Sequence, residues 1–193
     1  MPALRWVHNP LRELSLRRFV ALFIPIAVLA AGCGSDEESA KTFDESGFEI
    51  SFEYPDKFKP RKNVTVLNPA GIRGTERAVI AVGDDEENLI LVERYDLNLA
   101  VNEDNIEVIK KQLDDVVMQA IGEPQSAKKV EAAGLPGYEY TVPLMKPKDG
   151  ESRVIFLFKD KTEYEINCQS TPKLRDRIAE ACDQAVKTLE VKK

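Results

Sequence analysis

Strict alternation marks the first folded segment of the chain. In Gly47-Phe48-Glu49-Ile50-Ser51-Phe52-Glu53-Tyr54-Pro55, Phe48, Ile50, Phe52 and Tyr54 fall on one face, and Glu49, Ser51 and Glu53 on the other. That is the period of a half-buried strand, and Pro55 stops it. Further β-rich runs occupy 64–67, 78–82 and 88–95, with Pro69-Ala70-Gly71 and Gly83-Asp84-Asp85 as turns between them. The opening third reads as a meander. From Asn102 the period lengthens: Ile106, Ile109, Leu113, Val116 or Val117, and Ala120 recur at helical spacing. Asn102 suits the N-cap, Glu103 and Asp104 the first turn, and Gly122 with Pro124 the end. The pattern predicts an amphipathic helix lying on a sheet.

Strand signals return at 127–132, 137–143, 152–159 and 162–169. Gly134-Leu135-Pro136-Gly137, Lys148-Asp149-Gly150 and a tight Lys159-Asp160-Lys161 turn separate them. Turns this short favour antiparallel pairing. Val154-Ile155-Phe156-Leu157-Phe158 is apolar at every position, as in a central strand covered on both faces. A last helix is expected after Thr171 as N-cap and Pro172 at the first helical position, with Leu174, Ile178, Cys182, Ala185 and Leu189 turned inward. The fold class expected is α+β, an antiparallel sheet with helices packed on it as an α/β/α sandwich.

Ahead of this domain the pattern is different in kind. Arg5, Arg12, Arg17 and Arg18 precede the uncharged stretch 19–32. A hydrocarbon core about 30 Å thick needs about 20 helical residues, so this stretch fits a signal-peptide core better than a spanning helix. The arginines keep its start on the cytoplasmic side. Leu29-Ala30-Ala31-Gly32-Cys33 then leads small residues directly into a cysteine. This resembles the lipobox of bacterial lipoproteins. The resemblance implies cleavage between Gly32 and Cys33 and lipidation of the Cys33 thiol, with acyl chains such as palmitate holding the protein to the membrane. An ordinary cleaved signal with Cys33 as a bystander is the alternative. Several acyl chains, at about 0.8 kcal/mol per buried methylene, make such attachment effectively permanent. Where the cell has an outer membrane, Gly34 and Ser35 lack the Asp that retains lipoproteins at the inner one, which opens sorting outward. Residues 34–42, GSDEESAKT, carry nothing apolar larger than Ala and read as a solvated tether. The organisation expected is a signal peptide over 1–32, lipidated Cys33 and tether over 33–42, and one domain over 43–193.

Within that domain the order of elements resembles the PsbP-like fold, a family of exported sandwich domains that includes actinobacterial lipoproteins of the LpqN kind. The matching features are the strand ending Phe52-Glu53-Tyr54-Pro55, the Leu135-Pro136-Gly137-Tyr138-Glu139-Tyr140 segment, the hairpin between Phe156 and Ile166, and the closing helix with Leu189-Glu190-Val191. The resemblance implies an extrinsic, non-catalytic partner of envelope machinery, with no shared catalytic set.

Charge and composition narrow the chemistry. Of 27 basic and 33 acidic residues, four Arg and one Glu lie in residues 1–32, so the domain itself is strongly acidic. Sequence-independent binding of nucleic acid is disfavoured. The single histidine, His8, and the single tryptophan, Trp6, belong to the leader, so mature chemistry through an imidazole is excluded. With Cys33 assigned to lipid, Cys168 and Cys182 form an even pair in an exported chain. Cys168 falls on the strand face of Tyr164 and Ile166, and Cys182 in the inward helix stripe, so a disulfide is expected, with two buried thiols as the alternative. The acidic run Asp84-Asp85-Glu86-Glu87 lacks the spaced ligands of a calcium loop and reads as a solvated hairpin tip. No metal, cofactor or catalytic residue is expected. The function expected is a lipid-anchored, non-catalytic binding or accessory module with an envelope protein partner, on the extracytoplasmic face of the cell membrane. The alternative is a carrier of a lipid or other apolar small molecule in a groove between sheet and helices. A hydrolase built on paired carboxylates stands third.

Overall fold

The alternating segments pair antiparallel throughout. The computed structural model describes residues 39–62, 74–82, 87–144 and 148–192. Along the chain run β1 (Ala40–Phe43), β2 (Ile50–Pro55), β3 (Phe58–Arg61), β4 (Glu76–Val82), β5 (Leu89–Val101) and α1 (Ile106–Ile121). Then come β6 (Lys128–Ala132), β7 (Leu135–Pro143), β8 (Glu151–Ser170), α2 (Arg175–Lys187) and β9 (Glu190–Val191). The large sheet has the order β3-β4-β5-β8-β7-β6, and β1-β2-β9 form a small one.

β8 is a hairpin rather than one long rod. Twenty residues fully extended would measure roughly 66 Å, yet Ser152 and Asn167 hydrogen-bond through their side chains. The chain folds back at Asp160, whose φ is 50°. β7 pairs with the first arm and β5 with the second. This is the tight turn expected between 152–159 and 162–169.

One face of the large sheet meets α2 and the small sheet. Ile90, Val92, Ile155, Leu157 and Ile166 pack there against Phe52, Ile178 and Ala181. The other face meets α1, where Tyr138, Tyr140, Val154, Phe156 and Phe158 pack against Ile109, Leu113 and Val117. The all-apolar run from Val154 to Phe158 is therefore buried on both sides, as its sequence requires. Helix on one side, sheet in the middle, helix with small sheet on the other: the α+β sandwich read from the sequence is the observed fold.

α1 starts three residues later than expected: Asn105 holds the N-cap position without a side-chain cap bond, and the expected cap, Asn102, organises the turn over 103–105 instead. Its side-chain oxygen accepts from the Asp104 amide at 3.0 Å, while Asn105 accepts from the Asn102 amide at 2.9 Å. The Asn102 carbonyl receives the Ile106 amide, and Gly122, at φ 85°, ends the helix. α2 begins later than expected. Thr171 directs both its amide and its hydroxyl to Asn88 Oδ1, at 2.8 and 3.0 Å, so 172–174 form a turn and the helix starts at Arg175. Leu189 lies beyond the helix end but stays buried where the chain enters β9.

Three other expectations need adjusting. The strand β1 starts at Ala40, inside the span assigned to the tether, because Phe43 stacks on Phe52 at 4.7 Å and draws its neighbours into register with β2. The edge strand β3 has no counterpart in the sequence reading; Phe58 is buried against α2's side of the core, and Pro60 is tolerated because an edge strand needs fewer ladder donors. The strand expected at 64–67 lies outside the described residues. β7 begins at Leu135, so Leu135 and Pro136 belong to the strand rather than to the turn, and at Gly137 a Cβ would stand 1.9 Å from the Phe156 carbonyl oxygen, so only glycine allows the strands to approach.

The turn before β7 consists of Ala133 and Gly134, with φ of 52° and 75°. Two consecutive positive φ values suit Asn-Gly, and a left-handed alanine costs about 1–2 kcal/mol. Ala133→Asn is expected to stabilise the protein by about 1 kcal/mol, read as a raised urea midpoint. A lowered midpoint would show that the turn is held by contacts other than its own backbone preference.

Candidate functional site

α1 covers only part of its sheet face. Ile109, Leu113 and Val117 lie on Tyr138 and Tyr140, and two phenols fasten the helix there: Tyr138 donates to Glu107 at 3.0 Å and Tyr140 to Asp114 at 2.8 Å. Lys110 closes on Asp114 at 2.7 Å. The helix is thus held over β7 and the first arm of β8. Its next stripe, Gln112, Val116 and Ala120, overhangs the second arm and β5. The space left beneath is a cavity of about 380 Å³, walled mainly by apolar side chains including Leu91, Leu97, Val142, Val154 and Phe156.

The polar wall of this cavity is built by the alternation of two paired strands. Glu93 stands opposite Glu165, Tyr95 opposite Glu163, and Leu91 opposite Asn167. Glu93 is fully buried and receives the Arg77 guanidinium at 2.9 Å. Tyr95 Oη lies 3.2 Å from a carboxyl oxygen of Glu93 and 3.2 Å from one of Glu165. A phenol has a single proton, so Tyr95 can donate to only one of these two carboxyl groups at a time. Asn167 continues the row, donating to Glu165 at 3.4 Å and bonding Ser152.

Burial dominates the electrostatics of this row. Burial pushes the Glu165 carboxyl up to about 7, the charge on Glu93 adding to it against the pull of Asn167, Tyr95 and Arg77. Burial, with Glu165 beside it, also pushes Glu163 up to about 7. The same two causes raise the Tyr95 phenol far above its ordinary value, burial first and then the carboxylates. Glu163 differs from its neighbours in having no hydrogen-bond or ion-pair partner among the described residues. The arrangement is an apolar chamber with a carboxyl-lined end, suited to holding a molecule with an apolar body and a polar head.

The sequence reading did not single out Glu93, Tyr95, Glu163 or Glu165. Glu163 and Glu165 alternate with Tyr164, Ile166 and Cys168, so they share the strand face opposite the cysteine. The available signal was the run Leu89-Ile90-Leu91-Val92, apolar on both faces of the partner strand, which places that face under cover.

Of the sites expected from sequence, Gly32 and Cys33 lie outside the described residues, as do Asp84, Asp85 and Glu86. Cys168 and Cys182 are brought together at disulfide distance, with their Cα atoms 6.1 Å apart. They join the second arm of β8 to α2. On the same side Arg153 bonds Glu139 at 2.8 Å and reaches Asp183, adding a polar clasp on that helix. Among the described residues no group of three or more His, Cys, Asp or Glu is arranged to hold a metal ion, and no helix is long and apolar enough to cross a membrane.

No family model matches the sequence, and no curated protein matches it. Solved structures match it in shape. One is a crystal structure of a protein from Bacteroides thetaiotaomicron, 15% identical with a TM-score of 0.56, matched over 79% of this chain and 48% of that one. The chain thus spans about half the length of that protein. Another is the solution structure of cyanobacterial PsbP (CyanoP) from Synechocystis, 11% identical with a TM-score of 0.56, matched over 84% of this chain and 98% of that one. The likeness establishes a PsbP-like fold.

Proposed function

We propose that the protein is a lipid-anchored, non-catalytic binding module of the cell envelope, and that it carries an apolar small molecule between α1 and the large sheet. The cavity under α1 is the observation that carries this reading. Its 380 Å³ falls within the range of small-molecule sites, and it combines apolar walls with a few convergent polar groups. This puts the carrier reading ahead of the accessory-subunit reading favoured by sequence alone. That second reading is supported by the PsbP-like fold, with a protein partner in the envelope as its consequence.

The anchor reading rests on the lipobox resemblance at Cys33, which places the domain on the extracytoplasmic face of the cell membrane. Cys33→Ala is expected to release the domain from the membrane fraction; a variant that stays bound after a salt wash overturns the anchor. The carrier reading is tested by native mass spectrometry of the purified protein. A co-purifying mass in the range of a lipid or similar apolar molecule supports it, and a clean unliganded mass counts against it.

A further inference from the structure

The geometry points to a cationic amphiphile as the occupant of the α1 cavity, its hydrocarbon body among Leu113, Val117, Val154 and Phe156 and its ammonium head against Glu163 and Glu165. This rests on the reading of the cavity as a ligand site and adds the chemistry of the ligand.

Three features of the cavity select that chemistry. Its length is lined by hydrocarbon from both the helix and the sheet, which favours an apolar body. Its polar end is acidic: Glu163 and Glu165 line it, and Glu93 stands next in the row. The arginine at that end, Arg77, is committed to Glu93 at 2.9 Å, and Gln112, the polar contribution from α1, brings no charge. Glu163 consequently faces the cavity without a partner among the described residues. A carboxyl partly withdrawn from water and without a partner is open to a cationic group. A ligand ammonium would pair with it through charge-assisted hydrogen bonds, which are roughly twice as strong as neutral ones. A neutral alcohol offers one ordinary hydrogen bond. A fatty acid would bring another acidic group to an end that already has two.

The test uses the full-length protein in zwitterionic nanodiscs, with labelled Ile, Leu and Val methyl groups. It is titrated with octylammonium, 1-octanol and octanoate, and the Ile109, Val117 and Val154 methyl resonances report occupancy. Octylammonium is expected to bind about tenfold or more tightly than 1-octanol, with octanoate weakest. Glu163→Gln should remove that preference, and an unchanged amide spectrum away from the cavity shows that the variant is folded. Octanol or octanoate binding as tightly as octylammonium overturns the cationic assignment and leaves the carrier reading standing. So does an ammonium preference that survives Glu163→Gln. Cavity methyls that respond to none of the three compounds overturn both.

Discussion

The double variant Cys168→Ala/Cys182→Ala is expected to lose about 3 kcal/mol of unfolding free energy under oxidising conditions. The two cysteines are 14 residues apart in sequence, and both are buried with their Cα atoms 6.1 Å apart. In the chain-entropy model a crosslink closing a loop of this size removes about 3 kcal/mol of denatured-state freedom. The loss should be uneven across the fold. α2 is the element the bond ties down, and its other attachments are the core packing of Ile178, Ala181 and Ala185 together with polar contacts near its ends, among them Arg153–Asp183 and Arg175–Glu151. α1 is fastened separately, through Tyr138 and Tyr140. Urea unfolding reads the total, and amide hydrogen exchange should show protection falling in α2 before α1. A midpoint that does not move, or that is equal in the oxidised and reduced wild type, would mean that the thiols do not bond.

Glu163→Gln should stabilise the protein at pH 8 and leave it unchanged at pH 4. Glu163 and Glu165 are each held near 7 in the folded chain, whereas a glutamate in the unfolded chain titrates at about 4.3. Between those values the native state binds more protons than the unfolded state, so stability falls as pH rises from about 4.3 through 7. Below that window both states are protonated and no penalty exists. Above it the full penalty is present. One fully buried group with such a shift would contribute about 4 kcal/mol; both side chains are half-buried, which reduces the expected gain for Glu163→Gln to about 1–2 kcal/mol at pH 8. The groups facing them are Glu93 with its Arg77 partner and Tyr95 from the sheet, and uncharged Gln112 from α1. Glu163 and Glu165 repel one another, so they titrate as a pair, and the second proton leaves at higher pH than the first. Urea unfolding of wild type and variant at pH 4 and pH 8 checks this. An equal gain at both pH values would assign the effect to packing rather than to charge.

Much of the framework was legible because it depends on local periodicity. Phe48 to Tyr54 alternate, Ile106 to Ala120 recur at helical spacing, and Gly122 marks the end of α1 by backbone chemistry that neighbouring residues determine. The turn at Asp160 and the double-sided burial of Val154 to Phe158 follow from the same local rules. The pairing of Cys168 with Cys182 was legible for a related reason: one lay on the buried parity of a strand, the other on the buried stripe of a helix.

Strands β1 and β3 were not legible. Four residues with one aromatic each, Phe43 and Phe58, have too little pattern of their own; they are strands because β2 and β4 offer them an edge. The start of α2 was misplaced because Thr171 can cap a helix or bind elsewhere, and Asn88, 83 residues away, decides between the two.

The sequence by itself determined the alternation, the helical stripes, the turns and the cysteine parity, and with them an antiparallel sheet carrying two helices. Residues 1–33 also supply the lipobox-like pattern on which the anchor proposal rests. Tertiary structure alone decided where α1 sits. Alternation says which residues share a face but not what that face meets, so Glu163, Glu165 and Asn167 look solvated until a helix is placed over them. That placement comes from long-range contacts, the Tyr138 and Tyr140 phenols with the acids of α1 and the packing of Leu113 and Val117, which set the helix to one side and leave a chamber beside it. A cavity is a property of the gap between elements, and no residue in the chain encodes it alone.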